Sequence, residues 1–208
     1  MSRPAPTLLL IRHGETAWNA QRLLQGRRDI PLNDTGRGQA AQSGLCLKAL
    51  PLDLTTWDFV ASPLARTRET MEIVRSGAGL TAADYRQDER LVEIHFGEWE
   101  GLSWEQIREQ APHHYEERWA DPLNYPPPGG ENYPMVFDRV EAVLQGLTGD
   151  TVIVAHAGIL RSVLALRGGM DAARVPLIEI PQDRVLVVRD GGFAWLQAST
   201  ELHNQTAT

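Results

Sequence analysis

No apolar run in the 208-residue chain approaches the ~20 residues that span a bilayer, which leaves no candidate transmembrane helix. The head of the chain, Met1 to Pro6, has no charged region followed by a long apolar stretch, and the run Thr7 to Ile11 is too short for a leader core before it ends in Arg12. A cytoplasmic protein is therefore expected. A single cysteine, Cys46, excludes an internal disulfide and fits a reducing compartment; between Leu45 and Leu47 it reads as a small core side chain. There is no Gly-x-x-x-x-Gly-Lys and no Gly-x-Gly-x-x-Gly, so the usual glycine-rich phosphate loops are missing. No His-x-x-x-His pair exists either, and the adjacent His113 and His114 point to different faces of a helix, which leaves a metallohydrolase little to stand on. Positive charge is also short. The formal net charge of -7 argues against a general nucleic-acid or anionic-membrane surface, while leaving local arginines free to dominate one cleft.

What is present is an ordinary globular balance, 42% apolar and 23% charged residues, in a length that fits one sizeable domain over residues 1–208. Thr7 to Ile11 reads as a short buried strand. Asn33 can cap a helix from about 34 to 49, although Gly36, Gly38 and Gly44 weaken it. Phe59 to Ala61 is a second strand, and Leu64 to Val74 a helix. From about 93 to 134 the composition turns aromatic; Ser103 to Trp119 reads as helical and Tyr125 to Gly130 as extended or turning. This segment reads as a lid-like excursion over one end of the sheet. Val136 to Leu147 is an amphipathic helix, Thr151 to Ala155 a buried strand and Ile159 to Leu166 a further helix. Closing strands are expected around Leu177 to Ile180, Val185 to Val188 and Phe193 to Leu196. Strands alternating with helices imply an α/β three-layer sandwich, a mostly parallel sheet with helices on both faces.

The two strongest strands finish in Arg12-His13-Gly14 and His156-Ala157-Gly158. In open α/β sheets ligands bind at the carboxyl ends of the strands, so both histidines project from one edge if the strands are neighbours. The glycines would let backbone N–H groups approach an anion. A third strand leads through Ser62-Pro63 to Arg66 in the first turn of a helix. Two arginines, two histidines and helix N-termini around one point suit a phosphate dianion. A lone histidine at a strand end is more often structural than catalytic; three coincident strand ends are harder to dismiss.

Leu10-Ile11-Arg12-His13-Gly14-Glu15-Thr16 resembles the signature of the histidine phosphatase superfamily, phosphoglycerate mutase-like branch. Gln25-Gly26, Pro31-Leu32, Gly36-Arg37 and Gln39-Ala40 resemble the next block of that pattern, Ser62 to Thr67 the second, Leu91-Val92-Glu93 with Phe96 to Gly101 the third, and Val154 to Gly158 the fourth. The resemblance implies the phosphoglycerate mutase-like fold, no cofactor or metal, and His13 as nucleophile. Arg12, Arg66 and a protonated His156 would clamp the phosphate, and Glu93 would donate the proton. Asn19, Gln25, Gly26 and Ala157 would add contacts to the substrate phosphate.

The same resemblance divides into phosphatases and mutases. The block Phe96 to Gly101 looks more like the phosphatase side, and it offers acidic residues where a mutase would need basic ones for a substrate carboxylate. A small phosphomonoester, including one of the alpha-ribazole phosphatase kind, is thus the expected substrate. Phosphoglycerate mutase-type transfer and a non-catalytic phosphate-ligand module are the alternatives. The lid aromatics either line a pocket for a nucleoside-like group or pack the excursion onto the sheet. A homodimer interface, if there is one, is sought on the closing strands.

Overall fold

The computed structural model describes residues 5–197. Residues 1–4, part of the head read above for a leader, lie outside the described residues, as does 198–208. Six strands form one sheet: β1 (Leu8–Arg12), β2 (Asp58–Ala61), β3 (Arg86–Gln87), β4 (Thr151–Ala155), β5 (Val185–Arg189) and β6 (Gly192–Leu196), in the order β3-β2-β4-β1-β5-β6. The first four in that order run parallel; β5 is antiparallel to β1, and β6 to β5.

The helices are α1 (Ala17–Ala20), α2 (Asp34–Lys48), α3 (Ala65–Gly77), α4 (Trp104–Gln110), α5 (Pro112–Ala120), α6 (Tyr133–Gln145) and α7 (Ala157–Arg167). Strand side chains alternate between two cores, as the pleat requires. Leu10, Val60 and Ile153 pack under α6 and α7, while Leu9, Ile11, Phe59, Val152 and Val154 pack under α2 and α3. The result is the expected three layers. β4 is buried at every position, which explains its unbroken apolar sequence. Gly44, weak on helix propensity, is where α2 and α3 touch: a Cβ there would meet the Val74 carbonyl oxygen at 2.8 Å.

Three readings needed correction. The helix expected from Ser103 to Trp119 is two, α4 and α5, split at Ala111 (φ -140°, ψ 60°), because the residue before a proline avoids the helical region and Pro112 then starts α5. The strand expected at Leu177 to Ile180 is not one; a 3-10 turn at Val175–Leu177 leads into irregular chain between Pro176 and Pro181, which cannot donate to a ladder. The short edge strand β3 and the single turn α1 were not foreseen, the first because both its residues are exposed and carry no alternation. β5 and β6 do form the expected hairpin, turning through Asp190 and Gly191 at φ 52° and 75°. Among the described residues no helix is long and apolar enough to cross a membrane.

Candidate active site

Register places the site. β1 and β4 pair Arg12 opposite Ala155, so His13 and His156 leave the sheet side by side at its carboxyl edge, their ring centroids 5.1 Å apart. Both are buried, as is Arg66 in the first turn of α3.

His13 Nδ1 lies 2.8 Å from the Gly14 carbonyl oxygen. A carbonyl only accepts, so Nδ1 carries the proton and Nε2 presents its lone pair. Arg66 Nε donates to that Nε2 at 3.3 Å, while its Nη1 and Nη2 hold the Arg28 and Gly26 carbonyls at 2.7 and 2.9 Å. Burial, then the Arg66 and Arg12 guanidiniums, hold the His13 pKa well below its usual value against the Gly14 hydrogen bond. The imidazole is neutral, and its unprotonated Nε2 accepts a hydrogen bond from Arg66.

His156 Nε2 is 2.8 Å from the Ser62 hydroxyl, and its Nδ1 is buried without a partner among the described residues. Burial and Arg66 push its pKa well down also in the phosphate-free site. The Ser62 hydroxyl can either donate to Nε2 or accept from it, and in the first arrangement a neutral His156 offers an Nδ1–H to an anion. Ser62 was missed as a residue of the site.

Arg12 anchors Nη1 on the Ile180 carbonyl at 2.7 Å and leaves Nε buried without a partner among the described residues; burial pushes its pKa down to about 10. Asn19 Oδ1 is taken up by the Thr16 N–H at 3.1 Å and by Gln182 Nε2 at 3.2 Å, so its amide N–H groups are what it can offer a ligand. Gln182 also donates to the His13 carbonyl at 3.0 Å. It was missed because its loop had been read as following a strand.

Glu93 lies opposite, 8% exposed, its Oε1 accepting from the Ile94 and Gly158 N–H groups at 2.9 and 3.1 Å. Burial raises its pKa, outweighing those bonds and the arginines Arg66, Arg161 and Arg12. A Cβ on Gly158 would stand 2.6 Å from Glu93 Oε1, so glycine is required for the carboxyl to sit there. The glycine N–H groups expected to face an anion are in fact occupied: Gly158 holds Glu93, and Gly14 donates to Thr70 at 3.1 Å.

A cavity of about 650 Å³ opens over these groups, lined by Arg12, His13, Asn19, Gln25, Gly26, Arg66, Glu93 and Ala157. Every site residue read from the sequence thus reaches one place, with His156 directly behind His13. The lid contributes Phe96, Trp104, Arg118, Trp119 and Tyr133. Trp104 also packs on Trp99 and Trp119, with ring centroids 5.9 and 5.5 Å apart, so it belongs to both an aromatic cluster and the cavity wall. Arg118 and Arg161 were missed. Arg161 sits four residues beyond Ala157, one turn up the same helix face, a spacing that would have found it. The acidic patch weighed against a carboxylate-binding wall points elsewhere: Glu100 accepts from the Arg27 N–H at 2.9 Å and lies 3.5 Å from Arg28. Among the described residues no three His, Cys, Asp or Glu side chains cluster as metal ligands.

A mostly parallel sheet whose central strands end in adjacent buried histidines, flanked by arginines, defines an α/β protein of the phosphoglycerate mutase-like class. The sequence pattern of the histidine phosphatase superfamily (branch 1) matches residues 8–198, and the chain belongs to that superfamily. Among solved structures it is similar to YhfR of Bacillus stearothermophilus (34% identity, 91% of this chain and 95% of that one, TM-score 0.73). It is also similar to a protein of Escherichia coli described as a candidate alpha-ribazole-5'-P phosphatase (25% identity, 94% and 97%, TM-score 0.77). Among curated relatives, a 2,3-bisphosphoglycerate-dependent phosphoglycerate mutase of Parvibaculum lavamentivorans is 33% identical over 76% of this chain and 77% of its own length.

Proposed function

We propose that the chain is a metal-independent phosphomonoester hydrolase of small metabolites, working through a phosphohistidine on His13. The observation that carries this reading is the forced tautomer: the Gly14 carbonyl fixes the proton on Nδ1 and leaves Nε2 unprotonated beside two arginines. In the first step Nε2 attacks phosphorus, the N–P bond forms, the ester P–O bond breaks, and Glu93 gives its proton to the departing oxygen. In the second, water attacks phosphorus, the N–P bond breaks, and Glu93 takes back a proton. Arg12, Arg66 and the His156 Nδ1–H stabilise charge on the equatorial oxygens, joined by Asn19 and the N-terminus of α7 at Ala157. Gln25 and Gly26 shape the floor on which the phosphate rests. The raised pKa of Glu93 supports an acid role.

Phosphoglycerate mutase-type transfer is the second reading, favoured by the names of curated relatives at 28–33% identity. The two part on one assay. Hydrolysis of para-nitrophenyl phosphate in EDTA, abolished by His13→Ala, is expected of the hydrolase. Transfer between phosphoglycerate hydroxyls without net release of phosphate would replace it with the mutase, and loss of activity in EDTA would overturn the metal-independent route.

A further inference from the structure

Glu93 sits in a stretch that no regular element holds. Residues 92–96 lie between the 3-10 turns Glu89–Leu91 and Gly97–Trp99 and belong to no helix or strand. A proton donor on such a segment keeps its aim only if other groups fix the backbone beneath it. The Ile94 and Gly158 N–H groups anchor the carboxyl itself. The backbone is anchored from α6.

Arg139, in the second turn of α6, donates from Nη1 to the Arg90 and Val92 carbonyls at 2.6 and 2.7 Å, and from Nη2 to the Glu93 carbonyl at 3.3 Å. One guanidinium thus collects three carbonyls of the run 90–93. Its Nη2 also meets Glu131 Oε2 at 3.2 Å. That oxygen accepts the His95 N–H at 2.9 Å, while the Glu131 N–H donates to the His95 carbonyl at 2.8 Å. Arg139 therefore holds the chain up to Glu93, and Glu131 holds it two residues beyond. Burial alone would raise the Glu131 pKa, but the His95 N–H, Arg139 and Arg27 together hold it below its usual value, so the bracket keeps its charge.

The same carboxylate reaches the nucleophile's side. Arg66, which donates to His13, also holds the Gly26 and Arg28 carbonyls, and the guanidinium of Arg27 between them reaches Glu131 Oε1 at 2.9 Å. Glu131 is thus shared by the loop docked on Arg66 and the segment carrying Glu93. None of Arg27, His95, Glu131 and Arg139 lines the cavity, so contact with substrate does not account for the arrangement. A mostly buried ion pair contributes little net stability, and its value lies in imposing one geometry.

We propose that Arg139 and Glu131 are positioning residues for the proton donor, fixing the Glu93 backbone so that its carboxyl faces the leaving oxygen across the cavity from His13. The inference rests on the phosphomonoesterase reading with Glu93 as acid, and adds to it the device that aims the acid.

The test compares kcat/KM for an alkyl phosphate and for para-nitrophenyl phosphate on one preparation of each variant, because the ratio of the two does not depend on the fraction folded. Arg139→Met and the nearly isosteric Glu131→Gln are each expected to lower the alkyl-to-aryl ratio by about tenfold or more, since a misplaced acid fails only the substrate that needs its proton. In a Glu93→Gln background no acid remains to aim, and there Arg139→Met is expected to change the ratio by about twofold or less. Should Arg139→Met give no folded protein, Glu131→Gln carries both comparisons. Equal losses on the two substrates would reduce the pair to structural support and overturn the proposal. A ratio change of the same size in the Glu93→Gln background would overturn it too, since the pair would then act by another route. Glu93→Gln alone tests the reading beneath. A ratio unchanged by Glu93→Gln, or no turnover by the unaltered protein, sinks the acid and the proposal together, whereas a ratio moved by Glu93→Gln and by neither other variant removes only the positioning.

Discussion

Two titrating side chains in one cavity are driven in opposite senses by the same burial. A buried imidazole resists taking up a proton and a buried carboxyl resists losing one, so burial pushes the His13 pKa down and the Glu93 pKa up. The reaction needs both shifts. As pH falls, activity is kept until well below 6.5, the ordinary histidine value, because the His13 pKa lies well below it. As pH rises through the elevated Glu93 pKa, the proton needed by a poor leaving group is lost. For an alkyl phosphate, kcat/KM should therefore decline as pH rises through the elevated Glu93 pKa. Glu93→Gln should lower alkyl phosphate turnover by about 10²–10⁴-fold while costing activated aryl phosphates about tenfold or less. A pH–rate profile with an alkaline optimum, or equal losses on both substrates, would remove Glu93 from the acid role. At this scale the strand-end residues were legible because sequence adjacency is spatial adjacency there. Arg118 and Gln182 were not, since each reaches the cavity from a segment whose path depends on prolines, Pro112 in one case and Pro181 in the other.

Elements meet through glycines whose sequence context conceals their purpose. Gly44 reads as a weakness in α2, yet it is the point of closest approach to α3; Gly158 reads as part of a phosphate loop, yet it makes room for the Glu93 carboxyl. Alanine at each should fail differently. At position 44 the new Cβ meets a backbone oxygen, so an overpacking cost of about 1–3 kcal/mol exceeds the ~1 kcal/mol gained in helix propensity. Stability falls and kinetics on folded protein hold. At position 158 the nearest atom is the end of a side chain, which can give way. Gly158→Ala should keep most of the stability while displacing Glu93, so that alkyl phosphates suffer far more than aryl phosphates. Thermal melts with kinetics on both substrates check this, and a Gly158→Ala variant with unchanged leaving-group dependence would contradict it. Among the elements themselves, the buried strands and amphipathic helices were plain from periodicity. The α4–α5 break and the turn at Val175–Leu177 were not, because proline geometry overrode an apolar pattern that read as continuous.

Over the whole molecule, charge is unevenly spread. In a chain of formal net charge -7, many of the described surface arginines pair with neighbouring carboxylates, while those lining the cavity have no ion pair among the described residues. Net charge carried no information about this concentration, which arises from the fold bringing α3, α5, α7 and β1 to one sheet edge. The layered α/β architecture was legible for the opposite reason: strands and helices alternate along the chain in the order in which they stack. What the architecture delivers at its carboxyl edge is a histidine nitrogen kept unprotonated by a single carbonyl, and the chemistry proposed for it can be caught directly. The protein is mixed with para-nitrophenyl phosphate, quenched within milliseconds into alkali, where a phosphoramidate survives, and digested for mass spectrometry. One phosphoryl group on the peptide containing His13, released on acidification and missing in His13→Ala, is the predicted result. Turnover with no phosphoryl group on that peptide, or with the group on another residue, would contradict the phosphohistidine route.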